Sequence, residues 1–525
     1  MANTIFKKTA MKSPRRNTFN LSHDRKMSFD FGELVPIMVM DVVPGDKVTL
    51  SSAQMLRMSP LVAPPMHNAN VYVHHYFVPN RLVWPNWQKF ITGGEDGEDV
   101  TVPPYIQPDA AESSEGTLCD YLGLPSVGVP YSTARINPMV FSAYQLIYNE
   151  YYRDQNLVDE VPYELQDGSN TNTVQSSIVT LRNRAWAHDY FTSALPWTQK
   201  GAEALIPLGT TADLDFVPDG APSVVTDLAG SPYPPTVDLS TTGGLLSDLV
   251  TGGQTTPLNM NVAQQHKVNL STAQAASIND LRRAFRLQEW LEKNARGGSR
   301  YIESIYSHFG VKSSDARLQR PEYLGGGYSP IKFSEVLQTS GSPSPTDGYT
   351  PTPQGNMAGH GINVGASGKC AKFIEEHGYI ISIMSVMPQP AYQQGIPKHF
   401  LRNDKFDYYW PSFANLGEQP ILNAELYFEN SNVGGETFGY TPRYAEYKFI
   451  PNTVHGQFRS TFDYWHMGRI FDSLPALNEE FITMKAQEVS RIFAVTDDAE
   501  NKIYGHIFNN IKASRLMPVF GTPTI

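Results

Sequence analysis

A mainly β fold is predicted for this 525-residue chain, and three observations predict it. Gly (40) and Pro (39) are spread along the whole length, which divides the chain into short elements joined by turns. The clearest apolar runs have strand length and are bounded by Pro or Gly. Helical spacing of apolar residues is confined to two segments, and no repeat of solenoid or propeller period is present.

Residues 1–26 lack periodicity, and Ser13-Pro14-Arg15-Arg16 reads as extended and solvated. Residues 31–62 hold apolar runs broken by Pro36, Pro44-Gly45 and Pro60, as short strands between turns do. The strongest early strand is Asn70-Val71-Tyr72-Val73-His74-His75-Tyr76-Phe77-Val78, closed by Pro79. It is apolar or aromatic at nearly every position, so both faces are expected to be covered. His74 and His75 point to opposite faces of such a strand and are expected to be packed or hydrogen-bonded rather than to share a metal. Residues 91–130 read as loop. Asn137 then suits a helix cap and Pro138 a first helical position, and Phe141, Tyr144, Ile147, Tyr148 and Tyr151 follow at helical spacing. Residues 201–275 contain one Lys, no Arg, and many Thr, Ser, Gly and Pro, which fits an inserted surface excursion. A second helix is expected from about Ser277 to Ala295, with Arg282, Arg283 and Arg286 on its polar side. Residues 320–370 read as turn-rich, and Gly325-Gly326-Gly327 as a flexible turn. Strands return in Gly378-Tyr379-Ile380-Ile381-Ser382-Ile383-Met384-Ser385-Val386 and in Tyr444-Ala445-Glu446-Tyr447-Lys448-Phe449-Ile450.

Charge is distributed unevenly. Lys7, Lys8, Lys12, Arg15, Arg16, Arg25 and Lys26 stand against Asp24 alone, a formal +6 within the first 26 residues. The chain sums to −11, so residues 27–525 carry −17. A cationic arm on an acidic body suits contact with a polyanion at one place and repulsion elsewhere. A solvated tail and a tether between neighbouring subunits are the competing readings of the arm. Only 18% of residues are charged, whereas 27 Tyr, 26 Phe and 7 Trp are present. That balance favours broad contacts between subunits. The two cysteines, Cys119 and Cys370, are too few and too distant for a disulfide framework or a zinc site, and the N-terminus has no apolar segment of secretion type. Assembly in a reducing cytoplasm is therefore expected, and no apolar stretch is long enough to span a bilayer.

The chain offers little that reads as catalysis. GxxxxGK[ST] is missing, and Gly325–Gly327 lack the Lys and Ser/Thr that hold phosphate and magnesium. The glycines at 359, 361 and 365 lack dinucleotide spacing, Glu375-Glu376-His377 is not HExxH, and there is no GxSxG elbow. No cofactor, metal ligand set or catalytic residue is assigned. A secreted carbohydrate-binding or carbohydrate-cleaving β protein shares the aromatics and low charge but leaves the basic arm unexplained.

Several long runs carry a resemblance. They are residues 76–90, which include Val78-Pro79-Asn80-Arg81-Leu82; Tyr148-Asn149-Glu150-Tyr151-Tyr152-Arg153-Asp154; His188-Asp189-Tyr190-Phe191-Thr192-Ser193-Ala194-Leu195-Pro196-Trp197-Thr198-Gln199-Lys200-Gly201; Ser307-His308-Phe309-Gly310; Arg317-Leu318-Gln319-Arg320-Pro321-Glu322-Tyr323-Leu324-Gly325-Gly326; Thr352-Pro353-Gln354-Gly355-Asn356; and Tyr444-Ala445-Glu446-Tyr447. In this order the chain resembles the major capsid proteins of the microviruses, small single-stranded DNA phages, and most of all the gokushovirus type. The resemblance covers nearly all of the chain except 201–275 and parts of 330–370. It implies an eight-stranded antiparallel jelly roll with long loop and helical insertions. Sixty such copies would form a T=1 icosahedral shell, by way of pentamers, around circular single-stranded DNA.

On that reading residues 1–30 form a basic interior arm and 31–200 the first part of the body. Residues 201–275 form a protrusion at the threefold axis that meets a host surface receptor, and 276–525 complete the body. The seven basic residues named above are the expected phosphate contacts, binding without reading sequence. They are too few for a packaged genome, so a small basic DNA-binding protein is expected as a partner, with a pilot protein of the same phage. The expected location is the virion.

Overall fold

The computed structural model describes residues 16–520, apart from 95–97, 127–129, 132–133, 172, 297–318, 341–352, 430–434 and 498, and between 202 and 277 it describes only the backbones of six short strands. Two compact units emerge: one of residues 1–198 with 298–525, the other Gln199–Gly297.

The first unit begins with β1 (Asn17–Asn20), β2 (His23–Phe29), β3 (Val35–Val42), β4 (Lys47–Met58) and β5 (Ala69–Pro79). Helical segments α1 (Trp87–Thr92), α2 (Leu118–Leu122), α3 (Met139–Ile147) and α4 (Thr173–Ile178) follow. The second unit holds three antiparallel pairs. They are β6 (Asp213–Phe216) with β11 (His266–Asn269), β7 (Val225–Asp227) with β10 (Leu258–Met260), and β8 (Leu239–Thr242) with β9 (Leu245–Asp248). It closes with α5 (Ile278–Arg296). This unit extends past the 201–275 excursion expected from composition and takes in the helix that the sequence assigned to the body. The first unit resumes with β12 (Glu322–Pro330), β13 (Lys332–Leu337), β14 (Met357–Ala366), β15 (Cys370–Phe373) and β16 (Gly378–Pro388). After β17 (Glu418–Leu422) and β18 (Thr437–Pro442), which pair with each other, it ends in β19 (Ile503–Arg515).

Eleven of these strands form two antiparallel sheets. One runs β1-β19-β4-β14-β13, with β2 also on β19 and β15 also on β4; the other runs β12-β5-β16-β3. The chain therefore passes from one sheet to the other at six of its ten steps. The exceptions are the passage from β5 to β12, where residues 80–321 intervene, and neighbouring pieces of one sheet.

Alternation explains the larger sheet. In β19, Ile503, Ile507 and Ile511 are buried while Tyr504, His506 and Phe508 are exposed. In β4, Val48, Leu50, Leu56 and Met58 are buried while Lys47, Met55 and Arg57 are exposed. Leu56, Met58, Ile503 and Ile507 meet Ile37, Val71, Val73 and Met384 of the other sheet, while Val48, Leu50 and Ile511 meet Met38, Met40, Phe77 and Ile380, and the two clusters form the sandwich core. Each fully buried Ile of β19 contributes about 2 kcal/mol. Asn509 ties the layers together: it accepts from Ser52 Oγ (2.7 Å) and donates to Ile37 O (3.0 Å) across the core.

The smaller sheet is apolar on both faces because α3 covers its far side. Tyr76, Val78, Ile381 and Ile383 pack there against Phe141, Tyr144 and Ile147. Asn137 Oδ1 accepts from Met139 N (3.0 Å) at the start of α3, while Pro138, expected as the first helical residue, stands at the cap position itself. His75 points into the core, between Ser382 Oγ (2.7 Å) and Ser367 Oγ (2.9 Å), and His74 points outward to Tyr152 Oη (2.8 Å).

Three expectations fail: residues 320–370, read as turn-rich, are mostly the strands β12, β13 and β14 in their described part, and two shorter readings give way as well. Gly325-Gly326-Gly327 is no flexible turn; it lies inside β12. A Cβ on Gly326 would stand 2.3 Å from Val73 O, so a bare backbone is what allows β12 to pair with β5 here. Gly325 sits at φ 147° where the register shifts beside it, a conformation suited to glycine. Residues 444–450 form no strand either. Tyr444 has φ 61°, and residues 445–447 make a short 3-10 turn in which Tyr447 N donates to Tyr444 O (3.1 Å). Tyr444 holds this bend because its N–H donates to Gln419 Oε1 (2.9 Å) and its ring is buried.

Two outcomes follow from this packing. Gly326→Ala lowers stability by about 1–3 kcal/mol, because the obstructing atom is backbone. Gly327→Ala, whose nearest neighbour would be 3.5 Å away, leaves the melting temperature nearly unchanged. Thermal melts of the two variants test the pair. The second outcome concerns His75, whose imidazole burial pulls down to about 4 from 6.5, with His74 adding to the effect. The unfolded chain takes up this proton below pH 6.5 while the folded chain refuses it until about pH 4. The stability is therefore whole above pH 6.5 and is lost as pH falls through that window, by about 3 kcal/mol. Denaturant titrations at pH 7 and pH 4 show a smaller loss for His75→Gln than for the unaltered chain; equal losses contradict the assignment.

Candidate assembly and nucleic-acid interfaces

The seven basic residues singled out by the sequence separate in the structure. Lys7, Lys8, Lys12 and Arg15 lie outside the described residues. Arg16 is exposed at the head of β1, with Nη1 on Ser514 O (2.9 Å) and Gly45 O. Arg25 is turned inward on β2: its Nη1 donates to Tyr121 O (2.9 Å), and burial lowers its pKa. Its guanidinium serves the fold rather than the surface. Lys26 faces solvent on the same strand and pairs with Asp24 (2.6 Å). The hydrogen bonds from Lys26 and His506 hold the Asp24 carboxyl down at about 2. Residues 17–29, expected within the arm, are thus two strands of the larger sheet.

The sequence announced an abundance of aromatics but not where they gather. Between β16 and β19 the chain runs through short turns that expose Phe400, Tyr408, Tyr409, Trp410, Tyr447, Phe449 and Ile450; Phe400 is 71% and Ile450 86% accessible. Tyr408, Tyr409, Trp410 and Tyr447 are held in place. Arg402 lies over the rings of Tyr408 (5.3 Å) and Tyr447 (4.5 Å) and 3.6 Å from Glu446. Tyr409 packs edge-on against Tyr444 (4.9 Å), and Trp410 Nε1 donates to Lys405 O (2.9 Å). The N–H groups of Asn403 and Asp404 both donate to Asp407 (2.8 Å each), which lowers its pKa and fixes the turn. A preorganised apolar surface of this kind marks a protein contact.

A cleft of about 500 Å³ opens beside this surface, lined by Tyr190, Tyr392, Lys398, Arg402, Glu425 and Phe449 among others. Its charged groups are already engaged. Glu425 accepts from Lys398 Nζ (2.7 Å) and Tyr190 Oη (2.9 Å), and Tyr392 Oη donates to Asp189 (2.6 Å). Burial pushes the Tyr190 and Tyr392 hydroxyls well above the usual phenol range. Groups so satisfied brace the wall of the cleft. Among the described residues no cluster of three His, Cys, Asp or Glu is placed to hold a metal ion, and no helix is long and apolar enough to cross a membrane. Cys119 and Cys370 are buried free thiols, pushed up by burial to about 12 and about 11.

A sandwich body that displays a fixed aromatic surface has close relatives. Residues 9–525 match the family model described as capsid protein (F protein). The chain is 36% identical to capsid protein VP1 of Bdellovibrio phage phiMH2K. Identity is 35% to capsid protein VP1 of Chlamydia phage 1 and 33% to that of Spiroplasma virus 4. Each alignment spans 97% of this chain and 95% of the relative. All three are microvirus proteins, as the sequence motifs implied. With the match running almost end to end, through both sheets and the aromatic segment alike, the chain belongs to the capsid protein (F protein) family.

Proposed function

We propose that this major capsid protein builds a T=1 icosahedral shell of sixty copies around circular single-stranded DNA. Membership of a capsid family accounts for self-assembly, for a place in the virion and for a structural rather than catalytic role. The finer reading rests most on one observation: an ordered aromatic surface between residues 400 and 450 that is left exposed among the described residues. Copies of the chain, by way of pentamers, bury that surface in one another.

The body is read as a jelly roll. Its eight strands are β1 with β2, then β3, β4, β5, β12, β14 with β15, β16 and β19, with β13 as an addition. The supporting feature is the way successive strands divide between the two sheets. Lys7, Lys8, Lys12, Arg15, Arg16 and Lys26 are assigned to phosphate contacts on the inside. So small a set supports a further small basic DNA-binding protein as partner, beside a pilot protein. Buried free thiols agree with assembly in the host cytoplasm. Residues 201–275, within the compact unit Gln199–Gly297, are assigned to the threefold protrusion and to the host receptor.

Sedimentation of the protein produced with its accessory proteins tests the shell. The unaltered chain gives pentamers and particles, and Phe400→Asp combined with Ile450→Asp gives folded subunits that stay apart. A double variant that assembles normally overturns the role of this surface, and an unaltered chain that remains a monomer overturns the shell. Deleting residues 201–275 leaves particle yield intact and lowers adsorption to host cells at least tenfold. Normal adsorption by such particles contradicts the protrusion.

A further inference from the structure

The exposed face of the larger sheet is built like a platform for unpaired nucleotides. Directly opposed residues of an antiparallel sheet share a face, so the register specifies this surface row by row. Lys332, Ile362, Arg57, Tyr504 and Ser28 form one row across β13, β14, β4, β19 and β2. Two residues along, Val364, Met55, His506 and Lys26 form the next, and Ala366, Ala53, Phe508 and Asp24 the third. Lys512 lies further along β19, and Lys47 pairs with Ser514 near its end. The two rings are 46% accessible each, and all five cations are exposed.

Charge decides what fits here. Lys26, Lys47, Arg57, Lys332 and Lys512 face one acid, Asp24, on a chain whose total is −11. Among the described residues Lys47, Arg57, Lys332 and Lys512 have no ion pair, whereas Lys26 is engaged by Asp24. The same face of a second copy would be repelled. Tyr504 has Arg57 as its direct cross-strand neighbour, and Phe508 lies about 13 Å further along the strand. Rings that stack on bases, flanked by cations that meet phosphates, are what single-stranded nucleic acid binds without regard to sequence.

We infer that the outward face of the larger sheet, centred on Tyr504, Phe508, Arg57 and Lys512, binds single-stranded DNA by base stacking and phosphate contact. The inference rests on the reading of a DNA-filled shell and names the surface that meets the cargo.

Its test is the binding of a fluorescent twenty-nucleotide oligothymidine to purified subunits over a range of salt. Lys47→Gln, Arg57→Gln and Lys512→Gln together lower the slope of log affinity against log salt by about 2, since each contact to a single strand contributes about 0.7. Tyr504→Leu with Phe508→Leu weakens binding about tenfold or more and leaves the slope unchanged. All five positions are exposed, and circular dichroism verifies that the variants fold. Unchanged binding in both variants overturns the inference. So does protection of Lys47 and Lys512 from acetylation to the same degree in empty and filled particles, because a protein copy then covers the face. If unaltered particles contain nuclease-resistant DNA, such a failure falls on this surface alone. If they contain none, it is the DNA-filled shell that fails.

Discussion

The body depends on the insertion of its last strand between its first strands and β4. β19 pairs with β1 and β2 on one side and with β4 on the other, and Arg16 and Ser514, which touch across this seam, are 498 residues apart. Its buried Ile503, Ile507 and Ile511 complete the core, and Asn509 reaches through to Ile37 of the opposite sheet. Until β19 arrives, the inner faces of β2 and β4 lack their central neighbour. So long-range a pairing makes for slow folding, with strand edges open meanwhile. It also leaves the strand ends as the places where chain can be added at little cost. The chain leaves β5 at Pro79 and returns at Glu322, at one end of the smaller sheet. It leaves β16 at Pro388, at the other end.

Much of the strand content was legible because it rests on local pattern. The continuous apolar run at 70–78 foretold a strand covered on both faces, and the packing of α3 against the far side supplies the cover. The neighbouring His74 and His75 diverge as the pleat requires, and Asn137 accepts from the first N–H of α3. What escaped were the features set by distant partners. Gly325–Gly327 have the composition of a turn, yet the approach of Val73 O to Gly326 makes them strand. The alternation at 444–450 mimics a strand, but the Gln419 side chain holds Tyr444 in a left-handed bend and the run breaks into a turn.

The candidate surfaces were legible in kind rather than in place. Abundant aromatics and low charge pointed to subunit contacts, but only the packing of Arg402 between Tyr408 and Tyr447 shows where the rings are presented. Charge counting set Arg25 beside Lys26 in one arm. Strand alternation separates them, turning Arg25 toward Tyr121 O and Lys26 to the surface. Conversely, Arg57, Lys332 and Lys512 are far apart in sequence and have no motif in common. Only the register of β13, β14, β4 and β19 brings them onto one face. The acidic total of the chain hides this local excess of positive charge.

On the proposed reading the chain carries an aromatic segment for other copies, a cationic sheet face for cargo and, in a separate compact unit, a contact for the host. A cryo-electron microscopy map of the DNA-filled particle tests that most directly. The account predicts a closed shell in which residues 400–450 are buried between neighbouring copies and the exposed face of β4 and β19 borders the nucleic acid. A map in which residues 400–450 stand bare in solvent, or in which that sheet face points outward, contradicts it.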